Sequence, residues 1–329
     1  MRPARLVQHP PYRRAVVILL VAFGMASLFV VSYVDALGRP SARAIDVAVV
    51  GSTPDGDRFT AALQSSAARG LRLTRYPDES AAFAAVDDQR AYAVVSADAG
   101  RPVRLVLSTA SGSSVARVLS QAVSDAEDTS GIRARVTDRH PLPATDPSGL
   151  AVFYLTIAAT ILGFVTTFQL RANAKPLPLR PWLAFTAALV VLGSLVLTVL
   201  VTEVLGVLPL PLAEGWGVLA LQMTTASAVA AALSVLVGRW ALVPTWLLFV
   251  VLGNTSSGGA VSPALLPEPF SALSRWLPSG ATVSALRGAA YFRSGQRAEP
   301  LVVLACWAVA AVTALVVVSV VRGRSPGED

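Results

Sequence analysis

Uncharged apolar runs of membrane-spanning length recur along this chain, and they restrict its fold more than any other feature. A helix crossing the hydrocarbon layer needs about 20 mostly apolar residues. Such runs are read at residues 15–34, 150–169, 182–201, 217–237 and 301–321, with a shorter one, containing Pro244, at 240–253. Polar or proline-rich breaks separate them. Only 14% of the 329 residues are charged, and 54% are hydrophobic. A soluble domain of this length would have to hide more apolar surface than its volume allows. The expectation is a polytopic α-helical membrane protein with six transmembrane helices and an extracytoplasmic α/β domain between the first two.

Orientation is argued from the placement of basic residues. With the N-terminus inside, the inner segments hold Arg2, Arg5, Arg13, Arg14, Arg171, Lys175, Arg180, Arg239, Arg322 and Arg324. Only Glu328 and Asp329 oppose them. The net charge of +7 then falls on that side, because the outer segments nearly balance. Both termini are expected in the cytoplasm, with the chain in the plasma (inner) membrane. The first run is longer than the apolar stretch of a signal peptide. It is therefore read as an uncleaved anchor, although Ala42-Arg43-Ala44 has the small-x-small form.

The intended division is a cytoplasmic tail at 1–14, a first transmembrane helix at 15–34, the outer domain at 35–149 and a five-helix membrane domain at 150–329. Within the outer domain, strands are read at 45–50, 71–76, 91–96, 103–107 and 132–136, and helices at 58–68, 78–86 and 111–125. Asp78 or Ser80 caps the second of these helices. Alternating strands and helices argue for a small α/β module. Pro141, Pro143 and Pro147 form the linker to the membrane.

Several chemistries are absent. A phosphate-binding loop of the Gly-Lys type cannot exist, because the only lysine, Lys175, follows Ala174. The two histidines, His9 and His140, have no G-x-S-x-G elbow to serve, and H-E-x-x-H is missing. The lone Cys306 excludes an intrachain disulfide and a cysteine-based metal site. The acidic clusters Asp87-Asp88 and Asp125/Glu127/Asp128 read as solvated helix ends. The loop from Gly51 to Gly56 reads as a plain turn. No enzyme activity, cofactor, metal or nucleic-acid partner is expected.

Polar groups inside the apolar runs suggest function by default, because they are expensive there. Glu203, Gln222, Thr225, Asn254, Ser257, Gly258 and Gly259 are the candidates for a substrate path. Helix-to-helix hydrogen bonding is the plainer reading for Thr224, Thr225 and Ser227, and snorkelling to the headgroups for Glu203. Residues 254–299 are the most unusual segment. A Ser-Gly-Gly turn is followed by short helices expected at 263–267, 268–276 and 281–292, divided by Pro and Gly. The stretch is either a re-entrant hairpin dipping into the outer leaflet or an interfacial hairpin on the surface. Asn254-Thr255-Ser256 fits a glycosylation sequon, taken as chance.

Residues 242–292 (LVPTWLLFVVLGNTSSGGAVSPALLPEPFSALSRWLPSGATVSALRGAAYF) resemble the corresponding block of ABC-2-type exporter permeases, in particular the YhgE/Pip-like branch and its actinobacterial relatives. The shared elements are Ser257-Gly258-Gly259, Pro263 with Leu266-Pro267, Leu277-Pro278, and Ala285-Leu286-Arg287. Residues 80–95 are similar to that family's outer domain. The resemblance implies the membrane subunit of an exporter for a lipid-like, peptide or drug-like substrate, working as a homodimer or heterodimer in the lipid bilayer. It also implies a separate ATP-binding cassette ATPase touching the first inner loop, where Arg171, Lys175 and Arg180 are the coupling candidates. That loop is short for a coupling helix. The alternative is a non-transporting surface or secretion-associated scaffold whose outer domain binds a partner.

Overall fold

The computed structural model describes residues 12–38, 41–43, 45–67, 70–98, 102–173, 177–293 and 295–323. Among these, five helical stretches are long and apolar enough to cross a membrane, and one small sheet forms a separate layer. The protein is therefore a multi-pass helical membrane protein carrying a compact α/β unit.

The first helix, α1 (Tyr12–Leu37), leads into β1 (Ile45–Val50), α2 (Pro54–Ser66), β2 (Leu71–Arg75), α3 (Glu79–Asp87), β3 (Ala93–Ser96), β4 (Val103–Leu107), α4 (Ser113–Ser130) and β5 (Ala134–Asp138). The strand order is β2-β1-β3-β4-β5. Strand β1 pairs parallel with β2 and β3, β3 antiparallel with β4, and β4 parallel with β5. Successive side chains of a strand face opposite sides. In β1, Ile45 and Val47 accordingly join a core with Phe59, Leu63 and Leu119 from α2 and α4, while Ala48 and Val50 meet Ala82, Ala85 and Val86 of α3.

Element types agree with the sequence reading, and the differences sit at the ends. Helix α2 begins at Pro54, inside the expected turn, because the Thr53 hydroxyl accepts from the Gly56 N–H at 3.0 Å and caps it. Asp78 caps α3 in the same way, at 2.8 Å from Ala81 N. Helix α4 runs to Ser130 and ends on Gly131 in the left-handed region. Strand β5 lies two residues further on than expected. It is an edge strand paired on one side only, with mostly exposed side chains, so no apolar alternation marks it.

The second half contains α5 (Ala151–Asn173), α6 (Leu179–Val199, extended by a π-helical turn to Val204), α7 (Leu212–Val237), α8 (Leu242–Trp246), α9 (Phe270–Ser274), α10 (Pro278–Tyr291) and α11 (Ala298–Arg322). Helix α7 is the hub, packing against α5, α6, α10 and α11. Its contact faces are built from small residues such as Ala226, Ser227, Ala230 and Ala231. The Ser227 hydroxyl donates to the Gly163 carbonyl of α5 at 3.1 Å, an approach eased by the missing side chain, since a Cβ there would stand only 3.2 Å from that hydroxyl.

An apolar stretch of 43 residues, Leu212–Asn254, includes α7 and α8. It is two arms, not one rod. At Gly238 the backbone takes φ +59°, ψ −133°, and the chain folds back so that Phe249 packs on Ala226, Ala230 and Phe164. The returning arm is irregular: a 3-10 turn, the single α turn of α8, then a π-helical run Leu247–Asn254. Pro244 lies at its start and contributes no N–H to the ladder. The Arg322 guanidinium donates to the Val235 and Leu236 carbonyls at 3.0 and 2.7 Å, and Arg171 to the Gly238 carbonyl at 2.8 Å. These cations satisfy the orphan carbonyls at the end of α7.

Candidate functional site

The chain between the returning arm and α11 divides its loyalties. Residues 261–265 rise into the α/β unit. Leu265 is fully buried in the core formed by β1, α2, β4 and α4. Ser262 receives a hydrogen bond geometry unusual for a loop: its N–H donates to Ser114 Oγ at 3.0 Å, and its hydroxyl lies 2.9 Å from the Tyr92 phenol. The Ser41 and Arg43 N–H groups reach the Leu265 and Ala264 carbonyls, each at 3.3 Å.

The next segment turns back among the long helices. Leu266 and Phe270 pack on Ala36 at the end of α1. Helix α9 then leads to Trp276, whose carbonyl accepts from Trp307 Nε1 at 2.7 Å. Trp307 stands about 14 Å along α11 from its first residue, at 1.5 Å per residue. Helix α10 returns from that level and is buried along nearly its whole length against α5, α7 and α11. It is thus packed among the long helices over most of its length.

At the centre of this packing is Gln222, about 15 Å along α7 from Leu212. Its amide N–H donates to Thr160 Oγ1 of α5 at 2.7 Å, and its carbonyl accepts from Thr282 Oγ1 of α10 at 2.9 Å. All three side chains are fully buried or nearly so. The amide thus ties three helices together, and a buried group with both ends satisfied is structurally fixed. Thr225 donates to Leu221 O in its own helix. Glu203 is exposed on the π turn ending α6.

The remaining candidates form the turn at the top of the irregular arm. The Asn254 side chain meets the Tyr33 phenol of α1. Ser257 Oγ donates to the Asn254 carbonyl at 2.8 Å and accepts from Gly259 N at 3.2 Å. Gly258 has φ +73°, and its carbonyl accepts from Arg287 Nη2 at 3.2 Å. A Cβ on Gly259 would stand 2.6 Å from the Phe153 ring. Beside this turn Ser256 and Ser279 carry buried hydroxyls with no hydrogen-bond partner among the described residues. The structure thus brings Asn254, Ser257, Gly258 and Gly259 together, and leaves Glu203 and Thr225 apart from them. Sequence reasoning missed Thr160, Thr282 and Ser279. The two threonines are buried hydroxyls facing the Gln222 amide on another helix, and Ser279 is a buried hydroxyl without a partner among the described residues, neither of which periodicity registers.

Of the coupling candidates, Arg171 is engaged on the Gly238 carbonyl, Arg180 is exposed, and Lys175 lies outside the described residues.

In the outer unit, Asp87 is not a free helix end. Arg139 donates to both its oxygens at 2.6 Å, and His140 Nε2 lies 2.7 Å away. Those hydrogen bonds, Arg139 foremost, hold its carboxyl below the usual value although burial opposes them. The His140 ring also rests on Phe292, 4.7 Å between centroids, so the cluster sits where the unit meets the end of α10. The proline-bearing linker is ordered as well: both Asp146 oxygens accept from the Leu150 and Ala151 N–H groups at 2.9 Å and cap α5. Among the described residues no group of three His, Cys, Asp or Glu is placed to hold a metal ion. The Gly51 loop is closed by its own protein: Ser52 donates to Asp57, Arg75 to the Gly51 carbonyl, and a Cβ on Gly51 would strike the Ala97 carbonyl at 2.3 Å.

No family model, curated protein or solved structure matches this chain.

Proposed function

We propose that the chain is the membrane subunit of an ABC-2-type exporter. It crosses the plasma membrane six times with both termini inside, and the irregular arm before Asn254 is the fifth crossing. The substrate is lipid-like, peptide or drug-like and moves outward, and a separate ATP-binding cassette chain supplies ATP hydrolysis. The carrying observation is the interrupted arm with its inserted α9–α10 hairpin. Beside the five long helices runs a sixth element broken by π-helical turns, packed on α1, α5 and α7, and its polar end meets the two short helices α9 and α10. Irregular backbone at such depth is tolerated where protein or a polar cavity covers it. A protein that only displayed an outer domain would need one helix. Arg171, Arg239 and Arg322 near the Gly238 turn, at the end remote from the α/β unit, agree with that end lying inside.

The test is affinity purification of the full-length chain from its own cells, followed by ATPase and transport assays of the complex in liposomes. Co-purification of an ATP-binding cassette ATPase whose turnover depends on this chain supports the reading. If no such ATPase co-purifies and deletion alters neither export nor resistance, the exporter reading is abandoned. The scaffold reading is then examined by removing the outer domain, and it fails if all function survives.

A further inference from the structure

Where the α/β unit meets the α9–α10 hairpin, the protein leaves an open-mouthed cavity of about 540 Å³. Its roof includes Asp46 and Tyr92 of the sheet unit, its floor Arg275 beside α9 and Arg287 of α10, and its rim Arg297 and Glu299 at the start of α11. The charges do not cancel. Asp46 is paired with Arg72 at 3.3 Å, and Glu299 is paired with Arg297. Among the described residues, neither Arg275 nor Arg287 has a carboxylate within ion-pair distance. Arg287 is the sharper case. It is partly buried, and among the described residues its hydrogen bond goes to the Gly258 carbonyl. Its side chain lines the cavity, and a guanidinium taken from water without a counter-ion is costly.

The floor is also shaped to leave room. Ala281, Ser284, Ala285 and Gly288 lie on one face of α10 and line the space. A Cβ on Gly288 would meet nothing nearer than Gln89 Nε2 at 3.7 Å. At the rim the surface turns apolar: Leu301 and Val302 of α11 are exposed, and so is Trp276. A cationic cleft thus stands at the outer ends of the apolar helices, beside apolar surface running along one of them. Arginine forks match phosphate oxygens in geometry as well as charge.

We propose that this cavity binds a phosphate-bearing amphiphile, its headgroup on Arg287 and Arg275 and its tails along the exposed apolar surface of α11. This goes beyond the exporter reading. Binding is measured without an ATPase and without turnover, so the failure of either leaves the other standing.

The experiment uses the full-length protein in detergent. Native mass spectrometry follows binding of phosphatidylglycerol and of a diacylglycerol with the same chains. Thermal unfolding follows inorganic phosphate against chloride at equal ionic strength. The variants are Arg287→Gln, Arg275→Gln and Gly288→Leu, with Arg58→Gln on the remote face of α2 as the matched loss of one charge. Gly288→Leu keeps Arg287 and its Gly258 bond but fills the cavity, and so separates binding from folding. The expected result is phosphatidylglycerol binding weakened about tenfold or more in Arg287→Gln and Gly288→Leu, unchanged in Arg58→Gln, with diacylglycerol not retained. Stabilisation by inorganic phosphate that vanishes in Arg287→Gln, without lipid selectivity, identifies a free anion as the source and overturns the amphiphile. Equal binding of phosphatidylglycerol by the wild type, Arg287→Gln and Gly288→Leu overturns the site altogether.

Discussion

The buried Gln222 amide makes a prediction that runs against the usual expectation for a central residue. Replacing Gln222 with Leu removes two interhelical hydrogen bonds, at 2.7 and 2.9 Å. Neither threonine is stranded by the loss. Thr160 already donates to Thr156 O at 2.7 Å, and Thr282 has Pro278 O within its own helix at 2.8 Å. Interhelical bonds of this kind are worth about 0.6–1 kcal/mol each inside a membrane protein. Leucine moreover fills a similar volume. The cost of Gln222→Leu is therefore about 1–2 kcal/mol. Thr160→Val is different, because it leaves the glutamine N–H buried without its acceptor, and stranding such a group costs about 1–3 kcal/mol. Thr160→Val should thus destabilise at least as much as Gln222→Leu. The double variant should cost no more than Gln222→Leu alone, give or take a few tenths of a kcal/mol. Equilibrium unfolding of the full-length protein in mixed micelles measures all three. If Gln222→Leu is the most damaging by a clear margin, or the two changes simply add, the amide is not the satisfied tie described above.

Other outcomes follow from neighbouring contacts. Leu265→Ala opens a cavity in the outer unit's core from the far side of the chain, costing about 2–4 kcal/mol. It should make that unit more sensitive to limited proteolysis while α5–α7 stay intact. Asp87→Asn removes the carboxylate held by Arg139 and His140, at a cost of about 1–2 kcal/mol near neutral pH. The folded-state pKa of Asp87 is depressed, so its stabilisation is present above the ordinary carboxylate range and is lost as pH falls through the lowered value. The gap between wild type and Asp87→Asn should therefore begin to narrow below about pH 4 and close once the pH is below the lowered value. A gap that persists at acid pH would refute the ion-pair account. Gly259→Val drives a side chain into the Phe153 ring and should lower the yield of folded protein, whereas Gly217→Ala, where a Cβ meets nothing within 4 Å, should leave it unchanged. Arg322→Gln frees the carbonyls at the end of α7 and should cost about 1–2 kcal/mol in the same unfolding assay.

Much of this protein is legible from short-range pattern alone. Long uncharged runs must leave water, so the membrane character and the bounds of α1, α5, α6, α7 and α11 followed to within a few residues. Alternation and caps such as Asp78 marked out the α/β unit, because one buried face and one satisfied helix end are local matters. What pattern did not decide lies between residues far apart in the chain. That Leu212–Asn254 is two arms depends on Gly238 taking a positive φ while Arg171 and Arg322 satisfy the carbonyls around it. The break at Gly238-Arg239 already divides the sequence into runs at 217–237 and 240–253, but the contacts that hold the two arms together come from helices far away in the chain. That residues 261–265 enter the outer core, while α9 and α10 turn back among the long helices, depends on Ser262 meeting Ser114 and Tyr92, and on Thr282 meeting Gln222. Periodicity reports which face of an element leaves water. It carries no address for the partner, and in this chain the partner decides which buried polar groups are tied down and which cations, Arg287 above all, have no counter-charge among the described residues.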